Sequence, residues 1–109
     1  MDDALLAHRD AFGIDLHAIG LADRAFKRVD ALEYIRIAEE REQCVLGGDV
    51  LVCGSSPDDY RHTHDNWACE RRDGELFSSY VRRFARIARE YVSKIANDDA
   101  VYIIVVWPG

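Results

Sequence analysis

The pattern of apolar and polar positions changes period several times along the 109 residues, and each change marks an element. Val81, Phe84, Ala85, Ala88, Val92 and Ile95 keep the spacing of a helix buried along one stripe. The longest helix is therefore predicted from Ser78 or Ser79 to Ala96, ended by Asn97-Asp98-Asp99. Leu32, Ile35 and Ala38, flanked by Tyr34 and Ile37, form a second helical stripe. It opens on Asp30-Ala31-Leu32-Glu33, which reads as a capping box, and closes in the acidic run Glu39 to Glu42. A short helix over residues 3–12 is predicted from Leu5 and Phe12, with Asp3 as cap and Gly13 as stop.

Strand patterns occupy the rest. Val45 to Cys53 is apolar and β-branched but is broken by Gly47-Gly48-Asp49, which marks a bulge or a close backbone approach. Gly54 to Asp59 is a turn by composition, and Tyr60 to Arg71 reads as the antiparallel return strand of a hairpin. Period two puts Tyr60, His62, His64, Asn66 and Ala68 on one face, with Trp67 and Cys69 on the core side unless a bulge changes the phase. Asp73-Gly74 is a turn. Val101 to Trp107 is apolar at both parities and belongs at the centre of a sheet. Residues 14–26 have no clean period; a short edge strand ending near Ala25-Phe26 is expected.

The sum is an α+β fold, with a small, mostly antiparallel sheet of three to four strands and two or three helices packed on it. The length suits a single domain spanning residues 1–109.

Composition narrows the functional classes. A net charge of −6 disfavours a general nucleic-acid binder and favours a basic partner. The longest helix departs from this balance. Arg82, Arg83, Arg86, Arg89 and Lys94 face only Glu90, a surplus of four that leaves a deficit of ten elsewhere. With no aromatic platform among the arginines, such a face answers the chain's own acids more readily than phosphate. No apolar run reaches the roughly 20 residues that span a bilayer, and the acidic start is no secretory signal. Cys44, Cys53 and Cys69, odd in number and unpaired in spacing, suggest reduced thiols in a cytoplasmic protein.

Few residues suggest chemistry. Gly47-Gly48-Asp49 matches the glycine-glycine-acid signature of diguanylate cyclases, but Val50-Leu51 replaces its second acid and the chain is shorter than that domain. The plainer role is structural: the glycines permit a bulge, and Asp49 accepts from nearby backbone. His62 and His64 share a strand face, and with Asp58, Asp59 or a cysteine they define an alternative reading as a small metal-binding or hydrolytic domain, although no zinc spacing is present. The cysteines lie in apolar contexts where an inert thiol is expected.

Several pieces in order carry a resemblance. Asp30 to Ile35 starts a helix that leads to Leu46-Gly47-Gly48-Asp49-Val50; Asp65-Asn66-Trp67 follows, then Ala88-Arg89-Glu90-Tyr91-Val92 and a hydrophobic closing strand. From about Ala25 to Trp107 this order resembles the immunity protein 40 family of bacterial polymorphic toxin systems. The resemblance implies a cytoplasmic, non-enzymatic protein without a cofactor that binds a cognate toxin domain and occludes it stoichiometrically. On charge and the lack of a spanning apolar run, no nucleic-acid or membrane partner is expected. The partner contact is expected at Asp58, Asp59, Tyr60 and Asp65, with Gly47, Gly48, Asp49 and Trp67 as a structural motif. A homodimer paired through edge strands is the other association considered.

Overall fold

Three helices lie against one face of a five-stranded antiparallel sheet in the computed structural model, which describes residues 2–54 and 59–107. In chain order the elements are α1 (Asp3–Phe12), β1 (Ile14–Asp15), β2 (Arg24–Lys27), α2 (Arg28–Glu40), β3 (Val45–Cys53), β4 (Tyr60–Ala68), α3 (Phe77–Lys94) and β5 (Ala100–Val106). The strand order is β1-β2-β5-β3-β4. The doubly apolar β5 is central, as its pattern requires.

The expected three to four strands become five because the aperiodic N-terminal stretch folds back on itself. Ile14 and Asp15 pair with Ala25 and Arg24, and a 3₁₀ turn over His17–Ile19 joins the two strands. A two-residue strand is too short to show an alternation, so the sequence held no sign of it.

Register assigns each residue to a face. Ala100, Tyr102, Ile104 and Val106 of β5 join Val45, Val50, Phe26 and Trp67 beneath α2 and α3, which contribute Ala31, Tyr34, Ile35, Ala85, Ala88 and Val92. On the opposite face Val101 and Ile103 join Ala25 and Leu51 beneath Leu16, with Ile19 and Leu21 packed around them. The segment between β1 and β2 thus covers the second face over only part of its length.

Helix starts differ from the sequence expectation. Asp2, not Asp3, caps α1, accepting from the Ala4 N–H at 2.9 Å. α2 starts at Arg28, straight out of β2, so Asp30 lies within the first turn and no side chain caps the helix. The capping box is not formed: Glu33 instead accepts from Arg36, and the Asp30 carbonyl accepts from Nε2 of the buried His8 at 2.8 Å. Asp30 still gains from the helix dipole, which is why an acid at that place reads as a start. α3 likewise begins at Phe77, with Leu76 as an uncapped entry, and ends at Lys94. β4 stops at Ala68 rather than at Arg71.

Two irregularities shape β3. Thr63, His64 and Asp65 together oppose Val50, since Asp49 pairs with Asn66 and Leu51 with His62. His64 takes up a left-handed backbone (φ 67°), and the Thr63 hydroxyl donates to the Val50 carbonyl at 3.0 Å in place of a ladder bond. Two extra residues preserve parity, so Trp67 stays on the core side as the alternation predicts. Against β5, Val45 pairs with Val106 and Gly47 with Val105, which leaves Leu46 as the extra residue of a second bulge.

The Gly-Gly pair is explained by contact. A Cβ on Gly48 would collide with the Ile103 carbonyl and with the Trp67 indole, and one on Gly47 would collide with the Trp67 carbonyl. The indole lies over Gly48 and stacks on Tyr91 of α3 at 4.8 Å between centroids. Its Nε1–H has no hydrogen-bond partner among the described residues, so stacking and contact hold the ring.

Overpacking here cannot relax, because one obstacle is backbone. Gly48→Ala is expected to lower stability by about 1–3 kcal/mol and Gly48→Val by more, measured by urea denaturation. A Gly48→Val protein with the parent midpoint would contradict this packing.

Candidate functional site

Beyond the cover formed by Leu16, Ile19 and Leu21, the second sheet face is open. Its floor is Gly47, and Asp49, Asn66, Ala68, Leu46 and Val105 line a shallow groove around it. Past Leu46 an adjoining depression turns round the end of the sheet toward α3, where Trp107, Cys44 and Cys69 meet Tyr80 and Phe84. Leu46, Val105 and Trp107 are 37%, 40% and 46% exposed, high for large apolar side chains on one continuous surface. The bulge pushes Leu46 outward, while Val105 and Trp107 continue a strand whose cover has ended. Backbone bonds hold this geometry: Cys69 N–H donates to the Leu46 carbonyl and Trp107 N–H to the Cys44 carbonyl, both at 2.9 Å.

Asp49 stands at the side of the groove between Asn66 of β4 and Ile103 of β5. The expected hydrogen bond from nearby backbone is not made. Its half-buried carboxylate has no hydrogen bond or ion pair among the described residues.

One wall rests on a charged knot. Arg83 of α3 grips the Glu75 carboxylate with two hydrogen bonds of 2.8 Å and reaches the Glu70 carbonyl, while Arg71 donates to the Glu75 carbonyl. This fixes residues 70–75 beside α3, and Arg71 then lies 5.1 Å over the Tyr80 ring. The bonds from Arg83 hold the Glu75 carboxyl far below its ordinary range, at about 2.

The residues expected to meet a partner separate. Asp58 lies outside the described residues. Asp59 is held by Arg61 at 2.9 Å, and Tyr60 packs beside the Leu51 cluster. Asp65 is exposed on β4, and its charge adds to burial in raising the Tyr91 hydroxyl pKa. Gly47, Gly48, Asp49 and Trp67 do come together. His62 and His64 are exposed, and among the described residues no group of three potential metal ligands is assembled. Burial raises the thiol pKa of Cys44 and Cys69, which keeps both protonated and poorly nucleophilic. On α3, Arg83 and Arg89 are taken up by Glu75 and Glu39, as a self-complementing face requires; Arg82 and Arg86 remain exposed without ion pairs among the described residues. Among the described residues no helix is long and apolar enough to cross a membrane.

The family model for immunity protein 40 matches residues 15–107, from β1 to the end of the open face. The chain belongs to the immunity protein 40 family. The match reaches further toward the N-terminus than the motifs did and takes in the segment that covers the sheet's second face. No curated protein and no solved structure matches the chain.

The Glu75–Arg83 knot gives a pH prediction. The unfolded chain protonates Glu75 near 4.5, the folded protein only near 2, so the pair's contribution is complete above about pH 4.5 and is lost as pH falls toward 2. Glu75→Gln should be less stable than the parent at pH 7, with the difference shrinking between pH 5 and pH 2 in thermal melts. A constant difference would contradict the assignment.

Proposed function

We propose that this protein binds a toxin domain of a polymorphic toxin system and neutralises it by stoichiometric occlusion, acting in the cytoplasm and without catalysis. The observation that carries the reading is the open half of the sheet, with Leu46, Val105 and Trp107 exposed beside Asp49, in a chain of an immunity protein family. Occlusion requires a preformed surface with apolar anchors near its centre and charge that excludes wrong partners. A rigid sheet meets the first requirement better than a loop does, since little order has to be gained on binding.

The acids expected at the contact have a place in this reading. Asp65 is exposed on the edge strand, but its charge acts at the Tyr91 hydroxyl on the helix side, so it adds to long-range attraction rather than to the rim of the groove. Asp59 serves less directly, because Arg61 already engages it. The net charge of −6 favours a basic toxin and speeds its approach at low salt.

Co-expression with the product of the adjacent upstream gene tests the function. If that product arrests growth alone, this protein should restore growth and co-purify with it at a fixed ratio. Persistent arrest with no complex would contradict the proposal.

A further inference from the structure

We propose, resting on the toxin-binding reading, that the open sheet face is a receptor for a lysine or arginine of the toxin flanked by apolar or aromatic side chains. Asp49 accepts the cation; Leu46, Val105 and Trp107 take the apolar neighbours.

Asp49 is singled out by comparison with the other half-buried acids. Asp2 is paired with Arg41, Glu33 with Arg36, Glu39 with Arg89, Asp59 with Arg61 and Glu75 with Arg83. Asp30 lies in the first turn of α2, where the helix dipole favours an acid. Among the described residues, Asp49 has neither an ion pair nor a helix end. It projects from a strand interior next to Ile103, and its open side faces the groove. In the free protein, water reaches it there. A partner seated on Leu46 and Val105 excludes that water, and the cost of burying the carboxylate then has to be offset by a cation with good geometry. An apolar or acidic occupant leaves that cost unpaid, so the site discriminates by charge as well as by shape.

The apolar residues set the spacing of the partner's groups. Leu46 lines both the Asp49 groove and the adjoining depression that contains Trp107, so the three anchors are continuous and lie to one side of the carboxylate. A cationic side chain beside an aromatic or branched aliphatic one satisfies both. Gly47 keeps the floor between Val105 and Ala68 free of side chains, which lets the partner approach the sheet backbone.

The test uses calorimetry on the full chain and a catalytically inactive form of the toxin encoded next to it. Asp49→Asn, which removes charge without altering shape, should weaken the complex by at least about 30-fold. Leu46→Ser and Val105→Ser should each weaken it by roughly tenfold, while Arg82→Gln on the helix face should leave it unchanged. A toxin in which the matching lysine or arginine is changed to glutamate should regain affinity with Asp49→Lys. Circular dichroism verifies that each variant is folded. If the parent binds and Asp49→Asn binds within about threefold of it, this inference falls and the functional reading stands. If the parent does not bind, both fall. A dimer in light scattering that is abolished by Leu46→Ser would instead give the groove to a second copy and overturn the inference.

Discussion

The Trp67 indole, laid across Gly48 and stacked on Tyr91, is the contact on which the rest of the structure depends. It joins the edge strand β4 to helix α3 across β3, three elements that follow one another in the chain. Only a residue without Cβ lets the ring come down onto the sheet, and the ring then fills the space that another side chain would have taken. Lys94 closes the stack from the helix side, 4.3 Å from the Tyr91 ring. A residue pair that in isolation matches part of a cyclase signature is therefore a seat for an aromatic ring.

The same seat determines what lies on the other face. With Trp67 drawn to the helices, the alternation puts Asn66 and Ala68 on the far side, beside Gly47 and Asp49. The bulge at Leu46 turns an apolar side chain outward at the point where the cover formed by residues 16–21 has already ended. Packing on the helix face and openness on the opposite face are two results of one register. A shift by a single residue would bury Asp49 and expose Trp67, which couples the integrity of the proposed binding face to that of the core.

Legibility in the sequence followed the strength of the local period. The α3 stripe, the doubly apolar β5 and the hairpin of β3 and β4 were readable because their burial repeats over many residues. β1 was not, since two residues carry no period, and the α2 start was misplaced because β2 runs into the helix without a capping side chain. Part of the site was hidden for a different reason. Val105 reads as core in a strand apolar at both parities, and only the tertiary position of residues 16–21 shows where the cover stops. Asp49 stands out in the sequence through its glycines, but the backbone bond expected there is not formed. The hint available was the mismatch itself: a strand with two apolar faces needs a cover on each, and residues 16–21 are too few to cover the whole of the second.

Toxin is proposed to sit on this open half of the sheet and not on the arginine face of α3. Methyl-resolved NMR of the protein titrated with inactive toxin tests it most directly. The Leu46 and Val105 methyls should shift or broaden with stoichiometric toxin, while the Ile87 methyls, one turn from Arg83 on α3, stay in place. Perturbation confined to Ile87 and its neighbours, with Leu46 and Val105 unmoved, would contradict this placement.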